Sequence, residues 1–200
     1  SYYRRRAGEY ETIYAKPERQ PDLALLKERI PALLRGRRVL EIACGTGYWT
    51  TLIAASAASV TATDLADEPM AIARGKAYPP GKVLFSTEDA YQLPGRLVRF
   101  DAAFAGFWWS HVPRRRIPAF LASLHARLEP GARVVMFDNR YVKGSSTPIA
   151  ETDADGDTWQ MRGSDRVLKN FPTVAELRGV LPGVTVEELE YYWLAEYELK

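Results

Sequence analysis

The sequence predicts an α/β fold: a mostly parallel sheet of seven strands with helices on both of its faces. Short apolar segments alternate with helical segments between residues 37 and 137, which is the pattern of parallel strands joined by crossover helices. Beyond residue 138 a polar loop precedes a hairpin around Gly163 and Ser164, a helix and two more strands. We expect this last segment to add one antiparallel strand to the sheet.

Hydrophobic periodicity and turn residues place the individual elements. Leucine and isoleucine residues at helical spacing predict a helix over 21–34, after a first helix over about 5–14. The next strands are predicted at 37–43, 60–63, 83–86, 100–105 and 132–137, and the helices between them at 48–56, 68–78 and 113–128. Thr173 lies three residues before Glu176, which predicts a capping box for a helix that ends at Leu181. Two last strands are predicted within 184–199.

Composition narrows the class of protein. A length of 200 residues with 46% hydrophobic and 26% charged residues suits one globular domain spanning 1–200. A net charge of +2 without a strong basic stripe argues against a nucleic-acid partner. The single cysteine, Cys44, excludes an internal disulfide bond, and its surroundings do not suggest a metal site. Since the sequence shows no long apolar stretch and no secretory leader, we expect a cytoplasmic monomer or homodimer without membrane contact.

The segment 39–47 is the most informative part of the chain. A buried strand that contains Glu41 leads into Gly45-Thr46-Gly47, and an aromatic helix start follows. A glycine turn of this kind lets the backbone approach a ligand and directs helix N–H groups at it. A nicotinamide dinucleotide site would have a third glycine where Thr50 stands, and the bulky Trp49 disfavours that alternative.

Two acidic residues follow the next two strands. Asp64 ends the second strand, where a carboxylate can accept hydrogen bonds from both hydroxyls of a ribose. The alternative for Asp64 is a helix N-cap. Asp89 follows the third strand and is placed to accept from the amino group of an adenine, with an exposed loop acid as its alternative.

An aromatic cluster and a histidine follow the fourth strand. Phe107, Trp108 and Trp109 are candidates to line a reaction pocket, although two of three such side chains in a cluster are ordinarily core residues. His111 comes next and is a candidate general base, with a structural hydrogen-bonding role as the alternative.

Taken in order, these motifs resemble the class I S-adenosylmethionine (SAM) methyltransferases over nearly the whole chain. The turn Leu128–Asp138 into the fifth strand fits the same family. Within the family the chain is most similar to small-molecule phosphonate O-methyltransferases, through Tyr2-Tyr3, His111-Val112-Pro113 and Arg166–Phe171. The resemblance implies a Rossmann-like class I methyltransferase fold, SAM as cofactor with S-adenosylhomocysteine (SAH) as product, and no metal.

The same resemblance implies which segments bind the cofactor. Residues 1–36 would form a helical lid, from which Arg6 and Tyr10 reach the methionine carboxylate, while Met70 would pack on the adenine. The implied cofactor-binding residues are Arg6, Tyr10, Glu41, Ala43, Cys44, Gly45, Thr46, Gly47, Trp49, Asp64, Leu65, Met70, Asp89, Ala90, Tyr91, Ala105, Gly106 and Phe107.

The acceptor side leaves two alternatives open. An anionic phosphonate or carboxylate would be positioned by cations from 139–169, a loop and hairpin over the acceptor site, and the candidates are Arg140, Arg162, Arg166 and Lys169. A phenol or amine would instead need His111 as base and an aromatic cage of Tyr14, Trp108 and Trp109. The four cations can also be ordinary surface charge.

The functional expectation is transfer of the SAM methyl group to a small molecule, at oxygen, by in-line displacement. Two alternatives remain. One is an RNA- or protein-directed methyltransferase, and the other is a non-catalytic regulator that binds SAM.

Overall fold

A computed structural model describes residues 7–97 and 99–200. The strands are β1 Arg38–Ile42, β2 Ser59–Asp64, β3 Val83–Thr87, β4 Phe100–Gly106, β5 Leu128–Asn139, β6 Glu151–Thr152, β7 Thr158–Arg162, β8 Asp165–Leu168, β9 Thr185–Glu188 and β10 Tyr192–Glu198. The α-helices are α1 Gln20–Leu33, α2 Tyr48–Ala54, α3 Asp67–Arg74, α4 Ile117–His125 and α5 Val174–Val180. Short 3₁₀ helices cover Ala7–Ala15, Pro17–Arg19, Trp109–His111 and Arg114–Arg116.

Seven strands form one sheet in the order β3-β2-β1-β4-β5-β10-β9, which confirms the predicted fold class. β1 pairs in parallel with both β2 and β4, so the ends of these three strands meet at one edge of the sheet. β10 runs antiparallel to both of its neighbours, as the C-terminal segment predicts. The order reverses at β1, and α/β sheets bind ligands at the carboxyl ends of strands beside such a switch.

Two apolar cores cover the two faces of the sheet. One packs α1 and α2 against β1 and β2, with Leu26, Ile30 and Ile53 fully buried. The other packs α4 against β4 and β5, with Phe120 and Leu124 fully buried. Because both faces are covered, the residues free to contact a ligand lie at the ends of the strands.

A second, three-stranded antiparallel sheet, β6-β7-β8, lies in the segment between β5 and α5. β7 and β8 are the predicted hairpin around Gly163, and Gly163 has the left-handed φ of 64° that the tight turn requires. Asn170 donates to the backbone carbonyl of Val112 at 3.1 Å and so ties the end of this hairpin to the loop after β4.

Several element boundaries differ from the prediction, among them the end of the helix predicted at 68–78, which lies at Arg74. The helix predicted at 113–128 begins only at Ile117, because Pro118 has no N–H and is tolerated only in the first turn of a helix. β5 begins at Leu128 and passes through Pro130 and Gly131, with its register shifted where it pairs with Phe100 to Ala102. No helix in the described part of the chain is long and apolar enough to cross a membrane.

Candidate functional site

The glycine turn after β1 lies at the switch point of the sheet. Ala43, Gly45 and Gly47 all have positive φ, of 53°, 56° and 77°. The left-handed conformation is strained for alanine, and such strain is typical of ligand-binding turns. A hydrogen bond of 2.9 Å from the Gly47 N–H to the Cys44 carbonyl closes the turn directly before α2. The turn therefore lies at the edge of the sheet, directly before the first turn of α2.

The two glycines of the turn have different surroundings. A Cβ atom on Gly47 would lie 2.8 Å from the Cβ of Ala73 and 2.7 Å from the hydroxyl of Tyr78. A Cβ atom on Gly45 would meet no heavy atom of the described residues within 4 Å. Gly47 is thus required by packing against α3, whereas Gly45 faces open space in which a ligand can lie.

Asp64 ends β2 and fixes the turn from the side. Its Oδ2 accepts from the Gly45 N–H at 2.8 Å, and its Oδ1 accepts from the Ala66 N–H at 2.9 Å. Ala66, not Asp64, is the N-cap residue of α3, so the N-cap alternative does not hold. Leu65, the next residue, is 61% exposed and offers an apolar surface beside this carboxylate.

Glu41 is buried in β1 directly beneath the turn, and Cys44 and Thr46 are buried close to it. Burial, together with the negative charge of Asp64, raises the pKa of Glu41 to about 8. Burial also raises the pKa of the Cys44 thiol. Both groups are therefore neutral at pH 7, and neither offers a charge to a ligand in this state.

The loop after β3 has the predicted acid in a tight turn. Asp89 accepts from the Tyr91 N–H at 2.9 Å, which is an Asx-turn, and its side chain is half-buried. Ala90 is buried, and the Arg116 guanidinium lies 3.4 Å from the centroid of the Tyr91 ring. This loop lies next to β2 and so borders the same edge of the sheet as Asp64.

Two predicted cofactor residues are core residues instead. Met70 has no exposed surface and packs in the core formed by α1 and α2, so it cannot stack on an adenine in this conformation. Trp49 is 4% exposed, and its indole N–H donates to the Tyr14 hydroxyl at 3.1 Å. Amphipathic spacing could not separate these inward positions from ligand-facing ones.

The N-terminal segment packs directly on the glycine turn. The Glu11 carboxylate accepts from the Thr46 hydroxyl at 2.8 Å and pairs with Lys76. Tyr14 is buried, and its ring stacks on that of Tyr48 with centroids 3.8 Å apart. Arg6 and the side chain of Tyr10 lie outside the described residues.

The end of β4 carries a cluster of three largely buried aromatic rings, of which Phe107 is 7%, Phe137 0% and Tyr192 1% exposed. Phe107 has a left-handed φ of 55°, and its ring lies 4.6 Å from that of Phe137 and 5.8 Å from that of Tyr192. Ala105 is buried and Gly106 half-buried just before it, and a Cβ on Gly106 would lie 2.5 Å from the Phe137 ring. We call Phe107, Phe137 and Tyr192 the aromatic floor.

Neither tryptophan of the predicted cage joins this floor. Trp108 contacts Tyr91 and Phe120, with ring centroids 5.9 Å and 6.0 Å away. Trp109 is 4% exposed and packs in the other core against Trp193. A cage of Tyr14, Trp108 and Trp109 is therefore not assembled, because Trp109 and Tyr14 belong to cores on opposite faces of the sheet.

A buried polar cluster centred on Asp138 lies beside the floor. The sequence prediction assigns no role to Asp138. Its Oδ2 accepts from the Ser110 N–H at 2.8 Å, and its Oδ1 accepts from the Asn139 N–H at 2.7 Å. Lys169 is 8% exposed; its ammonium donates to the Ser110 hydroxyl at 2.7 Å and lies 3.4 Å from Asp138. Burial lowers the pKa of Lys169, and the Asp138 charge opposes that shift.

His111 contacts the hairpin that carries Lys169. Its Nδ1 lies 2.9 Å from the Leu168 carbonyl oxygen. A carbonyl accepts only, so Nδ1 carries the proton and Nε2 is the basic nitrogen. Burial, followed by the nearby charge of Lys169, lowers the pKa of His111 to about 3. At neutral pH the ring is therefore neutral and a weak base.

The other predicted cations divide into two groups. Arg162 donates to Gln160 at 2.9 Å, and its charge lowers the pKa of both His111 and Lys169, which places it near the polar cluster. Arg140 pairs with Glu188 at 2.9 Å on the edge strand, and Arg166 pairs with Glu151 at 3.0 Å. Arg140 and Arg166 are thus neutralised away from the aromatic floor.

Comparison with known proteins decides the family. A sequence profile described as a methyltransferase domain matches residues 39–131. The chain superposes on DhpI, solved as an SAH complex and as a SAM–HEP complex, with a TM-score of 0.77 and 31% identity; the match covers 98% of this chain and at least 92% of DhpI. The chain belongs to the class I SAM-dependent methyltransferases.

Curated relatives of this methyltransferase match over a shorter stretch. The demethylmenaquinone methyltransferase of Clavibacter sepedonicus is 33% identical over 110 residues, which cover 54% of this chain and 43% of the relative. The ubiquinone biosynthesis O-methyltransferase of Dechloromonas aromatica (strain RCB) is 33% identical over 109 residues, 52% of this chain and 44% of the relative. The match thus spans less than half the length of these relatives. In residues 7–97 and 99–200, no group of histidine, cysteine, aspartate or glutamate side chains is arranged to hold a metal ion.

Proposed function

We propose that this methyltransferase transfers the methyl group of SAM to an oxygen of an anionic small molecule. The observation that carries the proposal is the polar cluster beside the aromatic floor. There Lys169 pairs with the buried carboxylate of Asp138, and the charge of Arg162 lies near enough to lower the pKa of Lys169, so two cations lie near one carboxylate. A site with excess positive charge favours an acceptor that supplies the missing negative charge.

The proposed position of SAM is at the carboxyl ends of β1, β2 and β4. The turn at Gly45 would receive the methionine part of SAM, and Asp64 would accept from the ribose hydroxyls with the lone pairs that its two backbone donors leave over. Leu65 and the Asp89 loop would flank the adenine. Phe107 would then lie closest to the sulfonium, because β4 is the strand next to β1.

The reaction is an in-line displacement. A lone pair on the acceptor oxygen forms the new O–C bond while the C–S bond breaks, and the bonding electrons remain on sulfur as the thioether of SAH. An oxyanion and a sulfonium are consumed, and a neutral ester group and a neutral thioether are formed. Since an oxyanion arrives without a proton, catalysis needs positioning and no general base.

The weak basicity of His111 supports an anionic acceptor over a phenol. A phenol must lose a proton, and a base with a pKa of about 3 is poorly matched to that step at neutral pH. The similarity to an O-methyltransferase supports oxygen as the methylated atom. We further propose that residues 1–36 and 139–169 form the lid and the wall of the acceptor site.

Binding and transfer can be tested separately. Calorimetric titration is expected to show SAM and SAH binding and no binding of NADH. Transfer of labelled methyl groups is then measured with a panel of hydroxyalkyl phosphonates, short carboxylic acids and phenols. We expect product with the anionic acceptors. Binding of SAM with transfer only to phenols would overturn the acceptor class, and no SAM binding would overturn the function itself.

The ribose contact has its own matched pair of variants. Asp64→Asn keeps the size of the side chain and is expected to weaken SAM binding about 10–100-fold, since hydrogen bonds to a charged group contribute about 1.5–3 kcal/mol. Asp67→Asn is the control, because Asp67 is exposed and its side chain accepts from the Thr87 hydroxyl at 2.8 Å. Equal SAM affinity in both variants would remove Asp64 from the cofactor site.

A further inference from the structure

Arg19 is a buried cation without a buried anion beside it. The residue ends the Pro17–Arg19 turn, directly before α1, and is 7% exposed. Among the described residues, no carboxylate forms an ion pair with its guanidinium, whose hydrogen bonds go to neutral side chains. A buried charge that lacks a partner is costly, and proteins retain one chiefly where a ligand supplies the counter-charge.

Neutral contacts hold the guanidinium in place. Nη1 donates to the Asn139 side-chain oxygen at 2.8 Å, and Nη2 donates to the Ser145 hydroxyl at 3.2 Å. The Tyr191 and Tyr192 rings lie 5.2 Å and 5.5 Å from its Cζ atom. Within the part of the chain that the structure describes, the buried Nε–H has no hydrogen-bond partner. The group is therefore fixed in direction, and its buried Nε–H is unused among the described residues.

Arg19 and Lys169 belong to one network. Asn139 accepts from Arg19 and donates through its Nδ2 to Asp138 at 3.0 Å, and Asp138 in turn faces Lys169. Both cations also border the aromatic floor, since Lys169 lies 6.0 Å from the Phe107 ring and Arg19 lies 5.5 Å from the Tyr192 ring. The charge of Arg19 reaches Lys169 closely enough to lower its pKa.

We propose that Arg19 is a second anion-binding residue of the acceptor site, which together with Lys169 holds an oxyacid group of the acceptor over the aromatic floor. The inference rests on the proposed function and restricts the acceptor to compounds that carry an oxyacid group. One oxygen of the group would face the sulfonium, and the remaining oxygens would accept from the guanidinium and the ammonium. A guanidinium presents two donors in a plane and so favours phosphonate or carboxylate over a single alkoxide.

The test uses the full chain saturated with SAH and three small probes: methylphosphonate, acetate and the neutral dimethyl ester of methylphosphonate. Ligand-observed NMR gives the dissociation constant of each probe. The variants are Arg19→Gln, which removes the charge, and Arg19→Lys, which keeps it. Arg29→Gln is the control, since Arg29 is an exposed arginine of α1 that pairs with Glu187 at 2.7 Å. SAH affinity and melting temperature are measured for every variant.

We expect Arg19→Gln to lower the affinity for the preferred anion at least about tenfold, while the SAH affinity stays within about twofold of wild type. Arg19→Lys should retain only part of the anion affinity, because it keeps the charge and loses the planar pair of donors, and Arg29→Gln should match wild type. Preference for methylphosphonate or for acetate in the wild type identifies the class of oxyacid. Wild-type anion binding that Arg19→Gln leaves unchanged would overturn the inference and leave the proposed function standing.

Two other results are also decisive. Loss of SAH affinity and of melting temperature in both Arg19 variants, with equal weakening of the anions and the neutral ester, would show that Arg19 only docks the lid and would overturn the inference. If the wild type binds the anions no more tightly than the neutral ester, the proposal of an anionic acceptor is overturned. The proposed role of Arg19 is then overturned as well.

Discussion

At the scale of single residues, His111 separates the two classes of acceptor that the sequence leaves open. Its position after β4 suits a general base, but the ring is buried against the hairpin that carries Lys169. A cation nearby and little solvent both disfavour the imidazolium form. His111 thus has its basic lone pair on Nε2, as a general base requires, but its pKa is too low for efficient proton abstraction at neutral pH.

The pH dependence of turnover tests this assignment. With an acceptor that is ionised throughout, we expect kcat/KM to be flat from about pH 6 to about pH 8, because a histidine with a pKa of about 3 does not titrate there. His111→Gln should lower turnover modestly without changing the shape of the profile. A limb in that range that disappears in His111→Gln would restore His111 as the base.

The Lys169–Asp138 pair makes a prediction about stability. Lys169→Met leaves the Asp138 carboxylate buried without its cation, and breaking a buried ion pair on one side costs about 3–5 kcal/mol. Adding Asp138→Asn removes the stranded charge, so the double variant should recover much of the loss. Urea unfolding measures both, with the exposed Lys143→Met as control. A double variant less stable than Lys169→Met would contradict the pairing.

At the scale of elements, the glycine turn joins β1, α2 and α3 in one unit. Both Gly45→Ala and Gly47→Ala impose a left-handed alanine, which costs about 1–2 kcal/mol. Gly47→Ala also forces a Cβ into Ala73 and Tyr78, and overpacking of this kind adds about 1–3 kcal/mol.

The two variants should therefore differ in kind. We expect Gly47→Ala to lower the free energy of unfolding clearly more than Gly45→Ala. Gly45→Ala should instead lower SAM affinity more than stability, because its new methyl group points into the space that we propose for the cofactor. Calorimetric titration and urea unfolding of both proteins give the comparison. The reverse ranking would mean that the cofactor does not approach Gly45.

Local patterns predicted the elements well and the site only in part. The Thr173–Glu176 capping box and the hairpin at Gly163 are encoded within a few residues, and the structure contains both. The contact between Arg19 and Asn139 spans 120 positions of the chain, and no local pattern signals it. Asp138 could have been found from the sequence, because it is an acidic residue at the carboxyl end of a predicted strand.

The residues that sequence reasoning misplaced share a physical cause. Met70 and Trp109 are both buried in the core, and helix register after a turn decides which side chains point inward. Arg140 and Arg166 are cations whose carboxylate partners, Glu188 and Glu151, lie on strands that only the fold brings near. Pairing of this kind depends on tertiary structure and is invisible to composition.

At the scale of the whole molecule, two buried groups with opposite shifts shape the pH dependence of stability. His111 has a folded pKa of about 3 against 6.5 unfolded, so between these values the unfolded state binds the proton and stability falls as pH falls. Glu41 has a folded pKa of about 8 against 4.5 unfolded, so the folded state holds the proton and stability falls as pH rises through that window. Together they favour a stability maximum in mildly acidic solution.

Replacing Glu41 separates these two effects. The Glu41→Gln variant places a neutral side chain of the same size in β1. It should therefore remove the loss of stability at alkaline pH and keep the loss of stability at acid pH. We expect the variant to be more stable than wild type at about pH 9, by on the order of a few kcal/mol, and to differ little at about pH 5. Urea unfolding of the SAH-free protein from acid to alkaline pH gives the curves. If wild type and variant lose stability in parallel above neutral pH, Glu41 is already ionised in the folded protein, and the glycine turn would present a negative charge to the cofactor.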